Sequence, residues 1–101
     1  MTRIIKEDGR TVIKTGDRID TRTASQFEID IQPALEQGVN LEIDCSELNY
    51  IASSGLRVLQ ATIRTVVRSL DGQIKLTHVN DDIYEILKMT CFTRHIAVDR
   101  S

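Results

Sequence analysis

The apolar positions of the chain change period along its length, and each change marks an element. Arg3–Glu7 and Arg10–Lys14 are β-branched stretches on either side of Asp8-Gly9. An Asp-Gly pair between strands predicts a tight hairpin, because both central positions need positive φ. Gly16 breaks the second strand. Ala24, Phe27, Ile31, Ala34 and Leu35 then fall on one face at helical period, and Thr23 with Gln26 has capping-box spacing. Pro33 lies inside this pattern; it removes a backbone donor and clashes with the preceding turn, so a kink or a break is expected there. Gly38 is a C-terminal stop signal. Val39–Asp44 alternates, with Val39, Leu41 and Ile43 pointing one way, as in a strand buried on at least one face.

After the polar stretch Cys45–Asn49 and the apolar pair Tyr50-Ile51 comes the strongest helix of the chain. Its predicted core stripe is Leu56, Leu59, Ile63, Val66, Val67 and Leu70, ended by Asp71-Gly72. Ile74 and Leu76, with His78 at the margin, predict another strand. Asn80 can cap a third helix carrying Ile83, Ile86, Leu87 and Met89, and Ile96–Val98 is a final short strand. The order β-β-α-β-α-β-α-β predicts an α/β fold. Its mixed, partly parallel sheet has crossover helices packed on one face, and the other face is more solvated.

Length makes this one domain, residues 1–101, long enough to bury a core without staples. Thirteen basic against fifteen acidic residues argue against nucleic acid as the main partner, and 4% aromatics leave little to stack bases or sugars on. No apolar run exceeds three residues, far short of the roughly 20 that cross a bilayer. The start, MTRIIKEDGR, has no apolar h-region, so a cytoplasmic location is expected. Cys45 and Cys91 have neither redox nor metal spacing and read as free thiols. With no P-loop and no G-x-S-x-G elbow, no cofactor, metal or enzymatic activity is expected; His78 and His95 read as solvated or hydrogen-bonded rather than as bases.

The informative stretch is Ile43–Leu59, IDCSELNYIASSGLRVL. A strand runs into a polar loop, and Ser53-Ser54-Gly55 then opens the amphipathic helix. The first turn of a helix has four N–H groups without intrahelical partners and a partial positive charge, so an anion is stabilised there. A serine hydroxyl at this spot either simply caps the helix or offers a place for a phosphate. Gly55 lets another backbone approach closely. From Ser53 to Leu70 there are three arginines, Arg57, Arg64 and Arg68, and no acid. At 100° per residue they lie within about 40° of one another, off the apolar stripe. Such a ridge is either a solvated face or a docking surface for an acidic partner. Val58, expected outside the core stripe, favours docking.

These residues resemble the STAS family, the sulfate transporter and anti-sigma-factor antagonist domains. Ile43-Asp44-Cys45-Ser46, Leu48, Tyr50-Ile51 and Ser53-Ser54-Gly55-Leu56 match its central pattern. Gly16, Ile19-Asp20 and Thr23-Ala24 resemble an upstream element of the family, and Ile83, Leu87 and Met89-Thr90-Cys91-Phe92 more loosely its ending. The resemblance implies a bacterial protein-binding switch with Ser53 as phosphoacceptor and Ser54 as the second candidate. It implies a partner surface of Asp20, Thr21, Ser54, Gly55, Arg57, Val58, Ala61 and Arg64. The implied partners are an anti-sigma factor that is also a serine kinase, and a serine phosphatase. Two departures matter: Ala52 stands where phosphorylated members carry Asp, and Thr90-Cys91 replaces the usual Ser-Gly. The Ala52 departure fits the alternative, a non-phosphorylated scaffold subunit of a signalling or ABC transporter complex.

Overall fold

A computed structural model describes residues 2–100. The two β-branched stretches are β1 (Arg3–Glu7) and β2 (Arg10–Lys14), an antiparallel hairpin in which Glu7 faces Arg10 across Asp8-Gly9. Gly9 takes a φ of 78°, the conformation that the tight turn demands. Beyond the hairpin, β4 (Asn40–Asp44), β6 (Gln73–Val79) and β7 (Ala97–Arg100) join as parallel neighbours, in the order β1-β2-β4-β6-β7. Three helices cross over between them: α1 (Ala24–Ile31), α2 (Ser53–Arg64) and α3 (Asp81–Met89). The predicted mixed sheet and element order are therefore present. So is the break at Pro33, where α1 gives way to a single 3₁₀ turn, Gln32–Ala34.

Register explains where the core sits. Ile13 lies opposite Ile43, and Ile43 opposite Leu76; Leu41 lies opposite Ile74. All five side chains face the helices and are buried together with Phe27, Ile31, Leu59, Val66, Ile83 and Leu87. The other face carries charge, and its buried members are paired. Glu42 accepts from Arg10 Nη1 at 2.7 Å and from Thr77 Oγ1 at 2.8 Å. Lys14 stands 3.8 Å from Asp44. Partnering of this kind is what lets a carboxylate stay inside a sheet.

Three details differ from the sequence expectation. Two short strands, β3 (Arg18–Ile19) and β5 (Tyr50–Ile51), form a separate parallel ladder. They are too short for alternation to betray them. The Thr23–Gln26 capping box does not form: Thr23 makes no side-chain cap to α1, and Gln26 Nε2 donates to Asp30 Oδ1 instead. The reciprocal pair sits one turn earlier. Asp20 Oδ1 accepts from the Arg22 and Thr23 N–H groups, and Thr23 Oγ1 accepts from the Asp20 N–H at 2.9 Å. Finally, α2 runs on into a π turn, Thr65–Ser69. Val66 is fully buried, but Val67, expected in the core, is 49% exposed.

Candidate functional site

The β3–β5 ladder brings the Ser53 segment and the Asp20 turn together. Ile19 pairs with Ile51, and the Ile19 carbonyl accepts from the Ala52 N–H at 2.9 Å. Gly55 packs directly on this junction: a Cβ there would lie 2.6 Å from the Ile19 carbonyl oxygen. The close approach expected of Gly55 is thus a contact between the first turn of α2 and β3. The Asp20 turn follows immediately, beside the mouth of α2.

That mouth is open. Ala52 is the N-cap residue, with an extended backbone and no oxygen to offer, and no side chain caps the helix. The first intrahelical bond runs from the Leu56 N–H to the Ala52 carbonyl at 3.0 Å. Ser53 is therefore the first helical residue rather than a cap, and so is Ser54 the second; the capping role is filled by neither. The two serines part company in exposure. Ser53 is exposed, whereas the Ser54 hydroxyl is enclosed and makes no hydrogen bond. No acid stands in the first turn of α2.

Of the other residues expected at a partner surface, Thr21, Arg57 and Arg64 are exposed, Asp20 and Ala61 are half-buried, and Gly55 is buried. Val58 requires correction: it is 9% exposed and belongs to the core. The buried face of α2 is Gly55, Val58, Leu59, Thr62 and, within the π turn, Val66. It is rotated by about one residue from the predicted stripe, because Gly55 must face Ile19. The rotation leaves Leu56 and Ile63 half-buried and Val67 exposed. With Phe92 they line a groove of about 530 Å³, rimmed by Arg57, Arg64, Arg68 and His95, with Ser53 at one end. The far wall, Thr90, Phe92 and His95, was not foreseen. Its signal in the sequence was an apolar stripe on α2 broader than one sheet can cover.

Asp20 is held below the usual carboxylate range. Desolvation works against this, but the Thr23 and Arg22 N–H groups, the Thr23 hydroxyl and Arg18 together outweigh it. Asp44 is lowered in the same way: desolvation is overcome by the Ser46 hydrogen bonds, His78 and Lys14. Burial, helped by Asp44, pushes the Cys45 thiol up to about 12, so this cysteine is an inert core side chain. Cys91 is exposed and free, and sits at a φ of 68° just past α3. His78 is exposed, at a φ of 55° where the β6–β7 pairing shifts register. Among the described residues no helix is long and apolar enough to cross a membrane, and no three metal-binding side chains cluster.

A mixed five-stranded sheet with three helices on one face, and a serine pair at the mouth of the second helix, define a small α/β domain of the STAS type. The STAS domain model matches residues 2–101, and the chain belongs to that family. The fold is that of an anti-sigma-factor antagonist (STAS) domain protein from Planctomyces limnophilus, with a TM-score of 0.88 at 18% identity over 99% of this chain and 90% of that one. An anti-sigma factor antagonist from Mycobacterium paratuberculosis gives 0.87 at 22% identity, over 100% and 86%. The murine solute carrier 26 family member A9 anion transporter also contains the fold, at a TM-score of 0.77 and 17% identity. The match covers 92% of this chain and 16% of the transporter. No curated protein sequence is significantly similar to the chain.

Proposed function

We propose that this chain is a protein-binding switch of the anti-sigma factor antagonist type. In this reading the exposed mouth of α2 docks an anti-sigma factor that is also a serine kinase. The Ser53 hydroxyl oxygen attacks the terminal phosphorus of ATP, loses its proton and releases ADP; a serine phosphatase later returns the hydroxyl. The observation that carries the reading is the split within the serine pair, with Ser53 exposed on an uncapped helix start and the Ser54 hydroxyl enclosed. A phosphate on Ser53 would bring about two negative charges to unpaired N–H groups, with Arg57 one turn on. The same charge would oppose a docked acidic surface. The domain itself acts by binding and carries out no catalysis, and works in the bacterial cytoplasm.

The test is to incubate the protein with ATP and an anti-sigma factor serine kinase of its own organism, then map phosphate by mass spectrometry. Phosphate on Ser53 alone is the expected result. Phosphate elsewhere, or none despite an active kinase, counts against the switch.

Ala52 favours a second reading. With no acid in the first turn to orient a hydroxyl or a kinase-bound metal, the domain would serve as a scaffold subunit, in signalling or in a transporter assembly. Ser53→Ala separates the two. The switch predicts a protein locked in the binding state even with kinase and ATP present; the scaffold predicts no change.

A further inference from the structure

The groove along α2 is larger than a phosphorylation site requires, and its chemistry is two-sided. Leu56 and Ile63, half-buried against the core, and the exposed Val67 form an apolar floor, and Phe92 closes one wall. The floor recurs every four to seven residues along α2, the spacing that receives the side chains of a second helix. From Ser53 to Arg68 the helix axis runs about 23 Å at 1.5 Å per residue, room for roughly four turns of a partner. The rim is basic: Arg57, Arg64 and Arg68 are exposed. Among the described ion pairs each is uncommitted. The cavity opens to solvent along its side rather than enclosing a small ligand.

We propose that this groove docks an acidic amphipathic helix of a partner protein, its apolar face on Leu56, Ile63 and Val67 and its carboxylates on the three arginines. This rests on the protein-binding reading above but adds a second contact region, up to four turns away from the mouth of α2. Apolar burial would supply affinity, and the arginines orientation and on-rate.

The experiment is selection of a displayed library of helical peptides on the immobilised full chain. The winner's affinity is then measured on the wild type, Arg64→Glu/Arg68→Glu and Val67→Glu. All three positions are exposed, and unchanged melting curves confirm folded variants. The expected winners carry apolar residues at three- and four-residue spacing with an excess of Asp and Glu. Either variant weakens them by about tenfold or more, and added salt weakens them further. Enrichment of basic or non-helical peptides, an equal affinity for the variants, or no enrichment at all overturns the proposal. So does a result in which decanoate, a small anionic amphiphile, shifts the groove amide resonances while no peptide is selected. Selection does not read phosphorylation. A failed selection alongside phosphorylated Ser53 removes the groove and leaves the switch; an acidic helix selected on a protein whose Ser53 is never modified does the reverse.

Discussion

The starts of α1 and α2 lie side by side, yet they are finished in opposite ways. The turn into α1 is closed by its own side chains: Asp20 takes two N–H groups and Thr23 returns the bond. The start of α3 is closed too, by Asn80, whose side chain accepts from the Ile83 N–H at 2.9 Å. The start of α2 has Ala52 where an oxygen would serve, and it carries the serines. An N-cap oxygen is worth about 1 kcal/mol to a helix. Of the three helices only α3 takes that stabilisation directly; before α1 the side chains close the preceding turn instead, and at α2, with the candidate site, they close nothing. The fold holds α2 by other means, the Gly55 contact with β3 above all.

The contrast can be broken most severely at Gly55. Gly55→Ala would force a methyl against the Ile19 backbone, and a loss of about 2–3 kcal/mol is expected in denaturant unfolding. A neutral result would mean that the junction between β3 and α2 is not what fixes the helix mouth. Ala52→Asp works in the other direction. Its backbone is already extended as a cap requires, so a gain of about 1 kcal/mol is expected, with loss of the free N–H groups. Absence of any gain would show that the mouth is already satisfied.

Asp20 sharpens the comparison through pH. Its folded pKa lies below the ordinary carboxylate value, so its stabilisation is complete above that ordinary value and is lost as pH falls through the folded pKa. Asp20→Asn should therefore flatten the acid limb of a melting-temperature profile below about pH 4, where Asp44 still contributes a part. An unchanged limb would assign the acid sensitivity elsewhere. The smallest effect is expected at Ser54. Its hydroxyl is buried without a partner, so Ser54→Ala should change stability by less than about 0.5 kcal/mol, or raise it slightly.

The same comparison shows what could be read in advance. The hairpin was legible because Asp8-Gly9 admits few alternatives, and the α1 break because Pro33 cannot donate. Gly55 was legible as a close approach, though not what approached it. The capping box was misread because Thr23 pairs back with Asp20 in the turn before α1 and so offers no cap to the helix itself. The face of α2 was misread for a tertiary reason. Periodicity ranks Leu56, Ile63 and Val67 as core because they are apolar; the sheet instead receives Gly55, Val58 and Thr62. Val67, one residue beyond the buried Val66, falls outside that face. Apolar residues left over from that choice are what line the groove.

The most direct measurement is a binding isotherm for the cognate anti-sigma factor on two forms of this protein, unmodified and carrying phosphate on Ser53. Tight binding of the unmodified form, weakened by about tenfold or more on phosphorylation, is the predicted result. Equal affinities for the two forms would contradict it.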